Sequence, residues 1–275
     1  MTLPFIKMAG CGNDFVIVEG KDVPTNLDIY RLASHICRAG TGIGADGLVV
    51  IDRTPVGEAH FSVRIVNRSG LEAEMCGNAA RCIARLAVDR GIAGNQHVFR
   101  TLAGDVESTV GPESIGVLLP QPSPLKRDVE VPLSDSIHRI DVIDVGVPHA
   151  VLWSDDLQSA PVEKLGRLLR HWSGFAAGAN INFACMEGGR LRMRTFERGV
   201  EAETLACGTG AASCAISAAC RGLAQPPIIV ITSQGSELLI SFELDGNIAR
   251  NVTLTGPATY ICEGTISDEW LTTVA

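Results

Sequence analysis

Alternation of hydrophobic and polar residues predicts strands in both halves of the chain. The segments 61–67 and 190–197 alternate residue by residue, as strands with one buried face do. The segments 97–110 and 228–244 each carry a glycine between two β-prone runs, which predicts a strand, a turn and a second strand. These spacings favour hairpins, so most neighbouring strands are expected to be antiparallel.

Two other segments have the composition of helices. Residues 79–90 and 211–221 are rich in alanine and other aliphatic residues and contain no proline. Each segment ends at or just before a glycine, Gly91 or Gly222, and glycine commonly closes a helix at its C-terminus. One helix is therefore predicted in each half of the chain.

The two halves repeat one another at an offset of 131 residues. From residue 76 to residue 104, ten of 29 positions are identical to the position 131 residues later, with no gap. The matches include a Cys-Gly step in each half, at Cys76 and at Cys207. Such self-similarity indicates a duplicated module.

The repeat predicts an α+β fold of two pseudo-symmetric, duplicated domains. In each domain a central helix is expected to be wrapped by mainly antiparallel strands, with the active site in the cleft between the domains. The proline-rich segment 119–133 is the expected crossover. We predict an N-terminal domain over 1–122, joined by the tail 263–275, and a C-terminal domain over 123–262.

Composition describes a globular and mildly acidic protein. Of its 275 residues, 46% are hydrophobic and 20% are charged, and the formal net charge is −8. Nucleic acids and anionic membranes are therefore not expected as partners. No apolar run reaches the roughly 18 residues that cross a bilayer, and no signal peptide is recognised.

The cysteines indicate a reducing compartment, and hence the cytoplasm. There are nine, an odd number, and no secretory signal accompanies them. No pair has Cys-x-x-Cys spacing, no Cys/His cluster has zinc spacing, and no glycine-rich phosphate or dinucleotide loop is found. No metal, pyridoxal phosphate or nucleotide cofactor is therefore expected.

The paired Cys-Gly steps are the best candidates for chemistry. Each cysteine precedes a predicted helix, and the next residues are Gly77-Asn78 in one half and Gly208-Thr209 in the other. The start of a helix presents unpaired N–H groups and a partial positive charge, which favour a thiolate and bind a carboxylate. The alternative is that both cysteines are ordinary helix-start residues of a duplicated fold.

A pseudo-twofold axis would bring Cys76 and Cys207 to opposite sides of one cleft. One thiolate could then remove a proton from a carbon while the opposite thiol returns a proton to the other face. The helix N-termini would stabilise charge that builds on an adjacent carboxylate. This arrangement predicts inversion of an α-carbon next to a carboxylate.

At this point the residues resemble a known family, the diaminopimelate epimerases, over about residues 5 to 266. These are cofactor-independent amino-acid epimerases of bacterial lysine and cell-wall synthesis. Seven motifs in order carry the resemblance: KMAGCGNDF (7–15), GIGADG (42–47), EAEMCGNAARC (72–82), GVPHAV (146–151), GANINF (178–183), RTFERGVEAETLACGTGA (194–211) and GPA (256–258).

The resemblance implies a role for each candidate residue. It also implies that the binding partner is a small molecule, an amino-acid substrate. It leaves a homodimer open. It implies that the acid/base thiols and the polar residues that poise them are Cys76, Cys207, His149 and Glu197. It implies that the donors to the carboxylate at the reacting centre are Gly77, Asn78, Gly208 and Thr209. It implies that the rest of the substrate, including its distal amino-acid end, is held by Asn13, Asn67, Asn180 and Arg198.

Three alternatives differ in function. The first is a related cofactor-independent racemase with another amino acid as substrate, and Val147, Ser69 and Leu71 depart from the common family wording in ways that bear on substrate choice. The second is an isomerase of the same fold that uses a carboxylate, against which both retained Cys-Gly steps argue. The third is a non-catalytic module that holds an anion on two helix N-termini.

Overall fold

The computed structural model describes residues 2–133 and 136–274. The chain forms two compact units, one from residues 1–117 and 256–275 and the other from residues 118–255. The predicted domain boundaries, after residues 122 and 262, lie a few residues beyond the unit boundaries and stay a prediction. Met1 and Ala275, the outer ends of the predicted N-terminal domain and tail, lie outside the described residues.

The helices of the described residues vary in length and burial. Besides a short 3-10 helix at Gly20–Asp22, they are α1 (Ile29–Ile36), α2 (Gly77–Asp89), α3 (Val162–Arg170), α4 (Gly208–Cys220) and α5 (Asp268–Val274). No helix among the described residues is long and apolar enough to cross a membrane.

The strands occupy most of the remaining chain. In the first half they are β1 (Leu3–Gly10), β2 (Asn13–Glu19), β3 (Gly47–Asp52), β4 (Phe61–Asn67), β5 (Glu72–Ala73), β6 (Gln96–Thr101), β7 (Gly104–Val110), β8 (Ile115–Leu118) and β9 (Lys126–Leu133). In the second half they are β10 (Ser136–Asp144), β11 (Pro148–Trp153), β12 (Asn180–Glu187), β13 (Arg190–Glu197), β14 (Ala202–Thr204), β15 (Ile228–Ile231), β16 (Glu237–Asp245), β17 (Ile248–Gly256) and β18 (Thr259–Ile266).

The first unit is built mainly from antiparallel pairs with two parallel crossovers. β18, β1 and β2 follow one another as antiparallel neighbours, and β2 lies parallel to β3. β3 pairs antiparallel with β4, which pairs antiparallel with β5 and parallel with β6. The hairpin of β6, β7 and β8 completes the unit.

The second unit repeats this pairing order strand for strand. β9, β10 and β11 are antiparallel neighbours, and β11 lies parallel to β12. β13 pairs antiparallel with β12 and β14, and parallel with β15. β15, β16 and β17 form the closing hairpins. The predicted α+β class and its duplication are confirmed.

The last strand of each repeat belongs to the other unit. β9 ends the first repeat in the chain but pairs with β10, the first strand of the second repeat. β18 ends the second repeat but pairs with β1, where Leu3 lies opposite Ile266. This exchange explains why the C-terminal tail belongs to the first unit.

The central helix of each unit is buried on nearly all sides. Ten of the 13 residues of α2 and 11 of the 13 residues of α4 are buried. A helix without a polar face is stable only when other elements cover it. α2 packs against side chains of β1, β2, β6 and β7, and the alanines and glycines of α4 let strands approach its backbone closely. The predicted central helices are therefore the core of each unit, and both begin next to a cysteine.

Candidate active site

Each unit carries a cysteine at the same place, directly before its central helix. Cys76 precedes α2 and Cys207 precedes α4, and both have extended backbone, with φ of −143° and −126°. The first N–H groups of each helix follow at once and have no acceptor within the helix. Both thiols therefore lie beside the positive end of a helix dipole, where a thiolate or a carboxylate is stabilised.

Asn78, in the first turn of α2, is oriented by hydrogen bonds to both ends of its amide. Its Oδ1 accepts from Arg81 Nη2 at 2.8 Å, and its Nδ2 donates to Asn13 Oδ1 at 2.5 Å. Asn13 Nδ2 in turn donates to Asp46 Oδ2 at 2.9 Å. The bonds run in one direction from a guanidinium to a carboxylate, so both predicted amides are fixed at the start of α2.

The Arg81 side chain is fully buried beneath this first turn. It also donates to the carbonyls of Gly77 and Pro257, at 3.1 Å and 3.3 Å. Burial raises the pKa of the neighbouring Cys11 thiol, and the positive charge of Arg81 partly offsets that rise. The guanidinium adds a full charge to the partial charge of the helix end, which suits this end of α2 to an anion.

Asn67 lies at the end of β4, apart from this network. It is exposed, and its backbone N–H donates to the Leu71 carbonyl at 2.8 Å. Its carbonyl accepts from the Gly70 N–H at 2.8 Å, which closes the turn before β5. Within the described part of the chain, no hydrogen bond joins the Asn67 side chain to Asn13 or Asn78, and its substrate role stays a prediction.

Cys207 is buried, and two donors of the first turn of α4 surround its sulfur. Sγ accepts from the Gly210 N–H at 3.4 Å and lies 3.6 Å from Thr209 Oγ1. Hydrogen bonds to sulfur favour the thiolate over the thiol. The structure thus places Thr209, predicted as a substrate donor, within reach of the thiol as well.

His149 lies behind Thr209 and is fully buried. Its Nε2 is 2.9 Å from Thr209 Oγ1. Burial lowers the pKa of His149 from 6.5 to about 3, and the positive charge of Arg198 acts in the same direction. The imidazole is therefore neutral near pH 7, and it contributes as a hydrogen-bonding group rather than as a cation paired with a thiolate.

The end of β13 carries the predicted Glu197 and Arg198. Glu197 Oε2 accepts from Thr204 Oγ1 at 2.7 Å. The Arg198 N–H donates to Asn180 Oδ1 at 2.8 Å, and Asn180 is itself the strand partner of His149. Three predicted residues of the second unit, His149, Asn180 and Arg198, are thus neighbours along β11, β12 and the end of β13.

The cysteines further along the helices behave differently. Cys82 and Cys214 are fully buried among apolar side chains. Burial raises the pKa of Cys82 to about 12 and raises the pKa of Cys214 as well. Both stay protonated at neutral pH and serve as core residues.

Sequence reasoning missed four residues that hold the site together: Arg81, Asp46, Asn182 and Thr195. Asn182 Nδ2 lies 3.1 Å from His149 Nδ1, and Thr195 Oγ1 donates to Asn182 Oδ1 at 2.9 Å. One signal was available, because Asn182 stands two residues after Asn180 on a strand that is otherwise apolar, and therefore on the same face. Arg81 has a weaker signal, because α2 also carries the charged residues Arg85 and Asp89.

No group of histidine, cysteine, aspartate or glutamate side chains in the described ranges 2–133 and 136–274 is arranged to hold a metal ion. The donors near both thiols are instead amides, hydroxyls and N–H groups. These groups suit an organic anion such as a carboxylate.

Solved structures show which class of fold this is. The chain matches a PhzF-family phenazine biosynthesis protein of Bacillus anthracis with a TM-score of 0.75 and 15% identity, over 97% of this chain and 99% of that one. It matches a hydroxyproline epimerase of Agrobacterium vitis with a TM-score of 0.70 and 15% identity, over 96% and 92%. At this identity the likeness establishes the fold, which these proteins share.

Sequence comparison is more specific. The family described as Diaminopimelate epimerase matches residues 5–119 and 142–261. A diaminopimelate epimerase of Hydrogenobaculum sp. strain Y04AAS1 is 38% identical over 276 aligned positions, covering 96% of this chain and 98% of that protein. The chain belongs to the diaminopimelate epimerase family. It is an isomerase that acts on a small molecule, and the predicted resemblance is confirmed.

Proposed function

We propose that this protein interconverts LL- and meso-diaminopimelate without a cofactor, using Cys76 and Cys207 as the two acid/base groups. Membership of the family supports the substrate. The placement of both cysteines at equivalent helix starts, each followed by glycine, supports the mechanism. This paired placement is the observation that carries the proposal, because both thiols lie where the start of a helix stabilises a thiolate.

In this mechanism one cysteine, as a thiolate, takes the α-proton, and the C–H electron pair stays on the carbon and its carboxylate. The opposite cysteine, as a thiol, gives its proton to the other face of the carbon, so that configuration inverts. The two thiols have then exchanged protonation states, and the reverse reaction uses them in opposite roles. Because the two cysteines lie in different units, their facing each other across a cleft is part of the proposal.

The carboxylate at the reacting carbon is assigned to the starts of α2 and α4. Gly77 and Gly208 leave room for close approach to the backbone N–H groups, while Asn78 adds a side-chain donor and Thr209 its own backbone N–H. Charge that builds on this carboxylate during proton removal is stabilised by both helix ends. The buried guanidinium of Arg81 strengthens that effect at α2.

The distal amino-acid end of the substrate is assigned to the other predicted residues. A carboxylate remote from the thiols is best held by a guanidinium together with amide donors. Arg198 and Asn180 adjoin one another in the second unit, and Asn13 is oriented by its bond to Asp46 in the first. Asn67 completes the proposed set. Lysine and peptidoglycan-precursor synthesis, a cytoplasmic location and a homodimer belong to the same proposal.

The test is exchange of the α-proton in heavy water. The reduced protein is incubated with LL-diaminopimelate, with no added cofactor, and the α-proton and the meso product are followed by NMR. We expect exchange and meso product with wild type, and loss of turnover by orders of magnitude in Cys76→Ala and in Cys207→Ala. Cys82→Ala is the matched control, because this cysteine lies on α2 but in the core.

A panel of single amino acids separates the proposal from its alternative. Exchange with proline or another amino acid, and none with diaminopimelate, would keep the two-thiol chemistry but assign a different substrate. Near-normal epimerisation by either cysteine variant would contradict the two-base mechanism. No exchange with any substrate after strong reduction would favour the anion-binding module.

A further inference from the structure

Asn182 lies directly beneath the start of α4. It is on β12, and its side chain is fully buried. A Cβ atom built on Gly210 would come within 2.4 Å of Asn182 Oδ1 and within 3.2 Å of Cys207 Sγ. The absence of a side chain at Gly210 therefore leaves the space that this amide occupies, immediately under the thiol.

The orientation of the Asn182 amide follows from one contact. Its Nδ2 lies 2.9 Å from the carbonyl oxygen of Ala150. A carbonyl oxygen can only accept, so the atom that faces it has to be the nitrogen. Thr195 Oγ1, at 2.9 Å, then donates to the Asn182 oxygen at the other end of the amide.

This orientation determines which nitrogen of His149 carries the proton. The same Asn182 Nδ2 lies 3.1 Å from His149 Nδ1. Its two hydrogens are therefore shared between the Ala150 carbonyl and Nδ1, which has to accept. Since a neutral imidazole has one N–H, the proton is on Nε2.

The remaining bonds then have a single direction. His149 Nε2–H donates to Thr209 Oγ1 at 2.9 Å, so the hydroxyl hydrogen of Thr209 is available for another acceptor. Cys207 Sγ lies 3.6 Å from that oxygen, within the range of a hydrogen bond to sulfur. We call this series of hydrogen bonds the Cys207 hydrogen-bond series. It runs through Thr195, Asn182, His149, Thr209 and Cys207.

We infer that Asn182 is a positioning residue that keeps His149 in its Nε2–H tautomer, so that Thr209 donates a hydrogen bond to the Cys207 thiolate. His149 then acts as a neutral donor in a dry environment, where such bonds are stronger than in water. The importance of this bond for turnover rests on the proposed function. The tautomer and the hydrogen bond are properties of the resting protein and can be tested without substrate.

The positions of the first unit that correspond to Asn182 and His149 carry apolar side chains, so the inference concerns Cys207. In the strand register that corresponds to Asn182, the first unit carries Val49, because Val49 lies opposite Ile65 as Asn182 lies opposite Thr195. The position that corresponds to His149 is Phe15, two residues before the strand partner of Val49, and both Phe15 and Val49 belong to the apolar cluster around α2. Asymmetric surroundings of the two thiols are therefore expected.

The direct test is the tautomer of His149, read by long-range ¹H–¹⁵N NMR of protein labelled at histidine nitrogens. We expect His149 Nδ1 at the shift of an unprotonated nitrogen and Nε2 at that of a protonated one. His97 is an internal reference of the opposite kind, because its Nδ1 lies 2.7 Å from the Gly94 carbonyl and has to be the protonated nitrogen. A protonated His149 Nδ1 in wild type would overturn the inference.

The variant Asn182→Asp replaces the donor by an acceptor of the same size. We expect protonation of His149 Nδ1, either as the other tautomer or as an imidazolium. Asn247→Asp is the matched control, because the exposed Asn247 amide also donates to a carbonyl, that of Leu125, but touches no histidine. If His149 signals in Asn182→Asp match those of wild type, Asn182 does not set the tautomer.

The second readout is the rate at which iodoacetamide alkylates Cys207 near neutral pH, measured peptide by peptide with Cys76 as the reference in the same sample. We expect about a tenfold slower reaction in Asn182→Asp, equivalent to about 1.4 kcal/mol, and no change in Asn247→Asp. Asn182→Ala, which removes the donor without adding charge, covers the case in which Asn182→Asp does not fold. Unchanged Cys207 alkylation in both Asn182 variants would contradict the inference even if the enzyme epimerises diaminopimelate.

Discussion

At the scale of single residues, the surroundings of the two thiols are built from different chemistry. Two residues after Cys76, the Asn78–Asn13 hydrogen bonds run between charged groups, with the buried Arg81 at one end and the half-buried Asp46 at the other. Near Cys207, the partners are the neutral His149 and Thr209. A reversible two-base reaction needs one thiolate and one thiol in each direction, and unequal surroundings determine which state predominates at rest.

His149 gives a prediction about stability and pH. Its pKa is about 3 in the folded protein and 6.5 in an exposed state, so on acidification protons bind the unfolded chain first. Its contribution to stability is complete above about pH 6.5 and is lost as the pH falls toward 3. Between pH 7 and pH 5 we expect a loss of about 2 kcal/mol in the free energy of unfolding from this group.

Urea unfolding at the two pH values measures that loss, with His149→Gln for comparison. The variant is expected to lose less stability than wild type over the same interval, by about 2 kcal/mol. His97, whose pKa is also lowered by burial, is present in both proteins and cancels in the comparison. An identical change for wild type and His149→Gln would show that His149 is not a buried neutral group.

At the scale of secondary structure, the start of α4 depends on a glycine where α2 has an alanine. Ala79 and Gly210 occupy equivalent positions of the repeat, three residues after each cysteine. Ala79 is fully buried without conflict, whereas a Cβ at Gly210 would meet Asn182 Oδ1 at 2.4 Å. The same helix position is therefore subject to different packing in the two units.

Gly210→Ala should reduce activity, although alanine is the better helix former. Propensity favours alanine by about 1 kcal/mol, but the new methyl group displaces Asn182 from beneath the thiol. We expect a fall of at least about tenfold in kcat, with the helix retained by circular dichroism. Ala79→Gly is the matched change in the other direction and should cost about 1 kcal/mol of stability with the Cys207 surroundings intact. Full activity of Gly210→Ala would argue against this packing.

The C-terminus of α4 is anchored by a buried ion pair. Asp141 is fully buried and accepts from Arg221 Nη2 at 2.6 Å, from Arg221 Nε at 2.8 Å and from Ser217 Oγ at 2.5 Å. Burial acts to raise the pKa of Asp141, but these donors hold it below its usual range. The equivalent arginine of the repeat, Arg90, pairs instead with Glu263 at the surface.

Removal of the Asp141–Arg221 pair should therefore reduce stability more than removal of the Arg90–Glu263 pair. Asp141→Ala leaves donors of Arg221 and Ser217 without their buried acceptor, while Arg221 keeps Asp128, and should destabilise the protein by about 1–3 kcal/mol. Arg90→Ala removes an exposed pair and should cost no more than about 1 kcal/mol. Thermal and urea unfolding of the two variants measures the difference. Equal losses would mean that the Asp141 pair is not the anchor of α4.

At the scale of the whole chain, the two repeats are joined by exchange of their last strands. β18 completes the first unit by pairing along β1, and the described residues after it form α5. The ends of the chain thus meet in one unit. Folding of that unit requires β1 to pair with β18, which places contacts of very long sequence separation in its ladder.

Truncation after Ala258 should destabilise the first unit selectively. Without β18 one edge of β1 has no ladder partner, and its N–H groups are exposed to solvent. We expect faster hydrogen exchange in β1 and β2, with β12 and β13 close to wild type, measured by mass spectrometry. Truncation after Ser267, which removes only α5, is the control and should leave β1 protected. Equal protection of β1 in both truncated chains would contradict this role of β18.

Much of the fold was predictable because it depends on local patterns. The repeat, the two helices closed by glycine and the strand alternation at 61–67 and 190–197 are all short-range signals, and the helices and strands appear where these signals lie. The tail 263–275 was predicted to join the first domain, but its strand partner was not, because an antiparallel pairing between residues 3 and 266 leaves no mark within either segment.

The sequence by itself determined the duplicated α+β architecture, the two Cys-Gly helix starts and the family. Only the tertiary structure decided the partners of those helix starts. Asn182 reaches His149 because β11 and β12 lie side by side and parallel, and Arg81 reaches Asn13 through Asn78 because β2 passes the first turn of α2. Local patterns record which face of an element is buried, whereas the polar group that another segment brings to that face is determined by packing of the whole unit.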